Sequence, residues 1–160
     1  MGAQKVKGKF IATNFGQGGV DLKFADVVIA NADLKALRAT PKTLVPAPGN
    51  GKVLEFLSAV LVLAAGSNAV TESTANLAVK YQNAAGVQVS QTIDTTGFID
   101  QTTHQVTYAL PKIDPITART GCENQPLVLH NLGAGEIAGN AANDATLRVK
   151  VSYRVHTFGF

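Results

Sequence analysis

The alternation from Ala145 to Thr157 constrains this chain more than any other feature. Ala145, Leu147, Val149, Val151, Tyr153 and Val155 fall on one parity, and Thr146, Arg148, Lys150, Ser152, Arg154 and His156 on the other. A period of two is the mark of a β-strand with one dry and one wet face. Such a strand cannot stand alone. Its apolar side chains need a second layer, Tyr153 burying its ring there, and its N–H and C=O groups need neighbours on both flanks.

Earlier segments supply those neighbours. Asp26–Ala30 reads as a short strand. Residues 31–39 read as one or two helical turns, with Asn31 or Asp33 able to cap and Leu34 and Leu37 on one face, stopped by Pro41. Thr43–Val45 is a short strand broken by Pro46-Ala-Pro48-Gly-Asn-Gly51. Residues 52–64 are apolar on both parities, which predicts a central strand buried on both faces; the competing reading is a buried helix. Residues 76–82 and 87–93 around an Asn83–Gly86 turn predict a hairpin. Further strands are expected at 95–100, 105–110 and 124–131, and a small-residue loop at 133–143. The expected fold is all-β: an antiparallel β-sandwich or jelly roll with one short helix and an extended N-terminal arm.

At 160 residues with 46% apolar side chains, one domain with a real core is expected, residues 25–160, preceded by the arm at 1–24. The formal charge is +3. The arm holds Lys5, Lys7, Lys9 and Lys23 against Asp21, while acids and bases cancel over the rest. The high pI therefore says nothing of a nucleic-acid surface on the body, and no specific nucleic-acid partner is expected. Phe10, Phe15 and Phe24 in the glycine-rich arm predict a segment that orders on a partner, with Lys5, Lys7 and Lys9 steering and Phe10 and Phe15 anchoring on an acidic, partly apolar groove. Only 16% of residues are charged, a composition that fits surface buried in a homo-oligomer, with a trimer favoured over a dimer. One cysteine, Cys122, allows no intrachain disulfide and fits a reducing compartment. No apolar run is long enough to cross a membrane as a helix, so no membrane partner is expected.

No residue pattern announces an enzyme, and no cofactor is expected. Gly133, Gly135 and Gly139 have the wrong spacing for a dinucleotide cradle. His104, His130 and His156 lack metal-ligand spacing, and Cys122 reads as an idle thiol. Asp94 and Asp100 can face one another across a turn. Asn140, Asn143 and Asp144 have calcium-type oxygens, although such residues more often brace turns.

Four stretches carry a resemblance: Ala39–Lys52 leading into the long apolar strand, Thr96–Asp100, Asn124–Leu129 and Leu147–Val155. Over about residues 33–158 the chain resembles the small head decoration (cement) proteins of tailed bacteriophages. The resemblance implies a sandwich or jelly-roll virion protein made in the bacterial cytoplasm. It implies an oligomer that binds the major capsid protein at inter-capsomer junctions on the head surface and stabilises the shell. A tail, baseplate or carbohydrate-binding receptor module is the alternative.

Overall fold

The computed structural model describes residues 21–71, 76–113 and 117–158. In chain order the elements are β1 (Lys23–Ile29), α1 (Asn31–Lys35), β2 (Lys42–Val45), β3 (Lys52–Ala64), β4 (Val70–Thr71), β5 (Asn76–Tyr81), β6 (Ile93–Asp94), β7 (Gln105–Ala109), β8 (Leu127–Asn131), β9 (Ala138–Gly139) and β10 (Thr146–Thr157). Two four-stranded antiparallel sheets form a sandwich, one ordered β1-β10-β3-β7 and the other β2-β8-β5-β6. β4 and β9 make a small separate ladder. Four of the pairings are nested, β1 with β10, β2 with β8, β3 with β7 and β5 with β6, and the pairings of β10 with β3 and of β8 with β5 join them into the two sheets.

The alternating C-terminal strand is the spine of the first sheet. Leu147, Val149 and Val151 are buried, and each lies between an inward residue of β1 and one of β3. Beyond Ser152 the register shifts: Ser152 opposes Ser58 but Tyr153 opposes Phe56, which leaves Leu57 as the extra residue of a β-bulge. That bulge explains the mixed pattern of β3. Its inward residues are Leu54 and Phe56 before the bulge and Ala59, Leu61 and Leu63 after it. The expectation of a strand buried on both faces is corrected accordingly, since Val60 and Val62 remain partly exposed on the outer face. Tyr153 packs on the core from the expected parity, yet it is only partly buried.

The strand buried on both faces is β8, all five of whose residues are buried. Loops fold over its outer side. Asn131 N–H donates to the Leu37 carbonyl, the Arg38 guanidinium to the Gly133 carbonyl, and Lys80 Nζ to the Ala84 carbonyl. Lys80 is correspondingly easier to deprotonate than usual because burial penalises its charge.

Other local readings divide by mechanism. α1 forms within the expected stretch, and Leu34 in it and Leu37 in the turn that follows are completely buried. Neither predicted cap acts as one, however. Asn31 Nδ2 donates to Asn140 Oδ1 (2.8 Å) and the Ala145 carbonyl (3.1 Å), and Asp33 pairs with Lys42. The hairpin after β5 forms, with Tyr81 N–H donating to Val87 O and Val89 N–H to Val79 O. Residues 95–100 are a turn rather than a strand. Asp94 Oδ1 accepts the Thr96 N–H, Gly97 takes φ +74°, and Phe98 and Ile99 N–H groups both donate to Thr95 O. At the other end, β1 starts at Lys23, so Lys23 and Phe24 belong to the sheet rather than to the arm.

Candidate interaction surface

The outer face of the β1-β10-β3-β7 sheet is built by the parity opposite to the core. Register places its residues in rows. One row runs Val28, Arg148, Val62, Val106, and the next Asp26, Lys150, Val60, Tyr108. A third begins Phe24, Ser152, Ser58. No second layer of described residues covers it: Phe24 is 71% exposed, Tyr108 68%, Val28 58% and Val106 55%. A shallow groove of about 380 Å³ runs between Phe24, Val60 and Lys150.

Sequence pattern alone would have turned β7 the other way. Val106 and Tyr108 share one parity, and a lone strand reading buries them. Here Ala109 faces inward, directly opposite Ala59. The two small side chains meet where the sheets pack, and the bulky ones are left outside. Phe24, expected in the arm, stands instead on β1 opposite Ser152.

The face is not wholly apolar. Arg148 holds Asp26 by two parallel hydrogen bonds of 2.7 Å each. The Arg148 guanidinium keeps the Asp26 carboxyl below its ordinary range, and Asp26 in turn raises Arg148. Lys150, directly across from Asp26, forms no ion pair among the described residues.

No family model and no curated protein matches the chain.

The remaining polar side chains brace loops. Asp144 accepts the Ser67 N–H (2.9 Å) and hydroxyl (2.6 Å) and an Asn140 amide proton (2.9 Å), bonds that hold its carboxyl down at about 2. Asn143 Oδ1 accepts from the Lys35 ammonium (2.9 Å), so the oxygens of the calcium-type loop face protein donors and a built-in cation. A Cβ on Gly66 would lie 1.9 Å from Asp144 Oδ1, which makes glycine the residue that lets this loop close. Glu136 accepts the N–H groups of Arg38 and Ala39 at 3.0 and 2.8 Å. Glu123 accepts the Gly51 N–H (2.7 Å) and pairs with Arg119 (2.6 Å).

The candidate chemical residues do not converge. His104 Nδ1 accepts the Ala65 N–H (3.1 Å) in a loop, and His156 lies 2.8 Å from Glu55 at the far end of β10. His130 is buried on β8, where burial lowers its pKa. It lines a cleft of about 630 Å³ with Arg38 and Glu136, whose own groups are committed to the backbone bonds above. Burial pushes the Cys122 thiol up, the reverse of an activated nucleophile. Asp94 and Asp100 bond locally, to Thr96 and to Gln101 respectively. Among the described residues no three His, Cys, Asp or Glu side chains group as metal ligands. Lys5, Lys7, Lys9, Phe10 and Phe15, the residues expected to touch a partner, lie outside the described residues.

Proposed function

We propose that this chain is a virion structural protein: a head decoration protein of a tailed bacteriophage that binds the major capsid protein at inter-capsomer junctions as an oligomer and stabilises the shell. It works by assembly rather than catalysis. The observation that carries the reading is the apolar outer face of the first sheet, on a body whose carboxylates and amides are largely spent on bracing loops. Large exposed apolar patches on a well-packed domain mark interaction surfaces. The nested strand order, the arrangement by which a jelly roll is wound, supports the reading, as does the resemblance of residues 33–158 to cement proteins.

The test is binding to shells. Purified full chain, mixed with empty heads of the phage that encodes it, is expected to cosediment at saturating stoichiometry and to raise the temperature at which the heads disrupt. A cryo-electron microscopy map should place the sandwich over junctions between capsomers. Density at the tail or baseplate instead, or absence of head binding together with calcium-dependent glycan binding, would overturn it.

A further inference from the structure

We propose that the outer face of the β1-β10-β3-β7 sheet is covered by the same face of a second copy, about a two-fold axis running along the strands between β10 and β3. This rests on the oligomer reading above and names its self-association surface, with a dimer in place of the trimer favoured from composition, and its test needs no head shell. An in-plane axis on that line carries each strand over its mirror position, so β10 lies on the partner's β3 and β1 on the partner's β7. Side chains within a row then meet in a defined way.

The match is complementary in both shape and charge. In these two rows the cations, Arg148 and Lys150, stand on β10, and the residues beside them on β3 are Val62 and Val60; past the bulge, Arg154 on β10 stands beside Glu55 on β3. Arg148 and Lys150 therefore each lay an aliphatic stem across a valine of the other copy and carry their charge to the rim. No like charges oppose. On the outer strands Val28 meets Val106, and Asp26 comes opposite the phenol of Tyr108, an O–H donor for a carboxylate that accepts from only one side. An axis placed between β1 and β10 would leave Val60, Val62, Val106 and Tyr108 uncovered.

Area is adequate. Two aromatic side chains contribute about 150–250 Å² apiece when buried, and the four valines, with the stems of Arg148 and Lys150, bring the face to the order of the ~800 Å² per partner in a stable complex. Sheets packed face to face lie about 10 Å apart with strands within about 30° of each other, so the middle rows make the closest contacts.

Light scattering of the full chain at tens of micromolar should report a dimer. Val60→Glu and Tyr108→Glu, each at an exposed or partly exposed position, should keep the native melting profile and raise the dimer dissociation constant more than 100-fold. Ala134→Glu, on a distant loop, should change nothing. Register is read by cross-linking in a Cys122→Ser background with a bismaleimide of about 8 Å reach. An equimolar mixture of Val28→Cys and Val106→Cys chains should form covalent dimers, and neither chain alone should. Within one chain these positions are three strand spacings, about 14 Å, apart. A monomer, a trimer, a dimer indifferent to both glutamates, or self-linking by Val28→Cys alone would each overturn the proposal. Head binding by a native chain that is monomeric in light scattering would overturn only the pairing and leave the decoration reading standing, whereas an intact dimer that fails to bind heads would overturn only the decoration reading.

Discussion

Tyr81 and Asp144 illustrate how single side chains hold this body together. The Tyr81 hydroxyl donates to the Leu54 carbonyl across the sandwich, and burial pushes its pKa from 10.0 up to about 12. Because the folded pKa is raised, the stabilisation is complete below the unfolded value near 10 and is lost as pH climbs through about 12. Tyr81→Phe is expected to cost about 1–2 kcal/mol in urea unfolding and to remove the latest step of a phenolate absorbance titration. Asp144 works with the opposite sign. Its carboxyl is depressed from 3.8 to about 2 by Ser67 and Asn140, so its contribution is present above about pH 4 and disappears as pH falls through about 2. Melting temperature should therefore drop over that interval in the native chain. The drop should be shallower in Asp144→Asn, which starts from a lower stability at neutral pH.

Among the elements, β3 is the one whose sequence misleads. Thirteen residues with apolar side chains on both parities read as doubly buried, but the bulge at Leu57 moves the inward set from even to odd numbers, and one outer face is left open. The two parities should therefore differ sharply on mutation. Leu61→Ala, at a fully buried position, should cost about 2–5 kcal/mol, whereas Val62→Thr on the outer face should stay within about 1 kcal/mol in the monomer. Equal costs from denaturant titrations would restore the doubly buried reading. Tyr153, past the bulge and only partly buried, should on truncation to alanine fall below the ~3–5 kcal/mol of a fully enclosed aromatic.

For the whole molecule, the nested pairing places the first described strand beside the last, and β1 needs nothing before Lys23 to make its ladder. Deleting residues 1–20 is therefore expected to leave the β-rich circular dichroism spectrum and the melting temperature within about 2 °C of the full chain. Under the decoration reading the same deletion should weaken head occupancy. Replacing Lys5, Lys7 and Lys9 should slow attachment chiefly at low salt, where the Debye length is about 10 Å or more, while Phe10→Ala with Phe15→Ala should speed release at any salt. Truncated chain that decorates heads as tightly as the intact one would remove the arm from the binding account.

What the sequence determined by itself was whatever is set by near neighbours in the chain. The period of two from Leu147 to Val155, the proline and glycine turn at 46–51, the return at Asn83–Gly86 and the paired burial of Leu34 and Leu37 were all legible. Each depends on alternation, turn chemistry or helical spacing over a few residues. The tertiary structure decided which face of a strand is inside when both parities carry apolar residues. Ala109 turns inward and Tyr108 outward because Ala59 stands opposite, some fifty residues away in the chain. β8 is covered on both sides because loops from α1, β5 and residues 132–136 converge on it. Asn31 abandons capping for Asn140, on a loop that the fold brings to it across more than a hundred residues. The exposed face of the first sheet belongs to this second group. Burial is a property of what packs opposite, and for these strands that partner is distant in sequence.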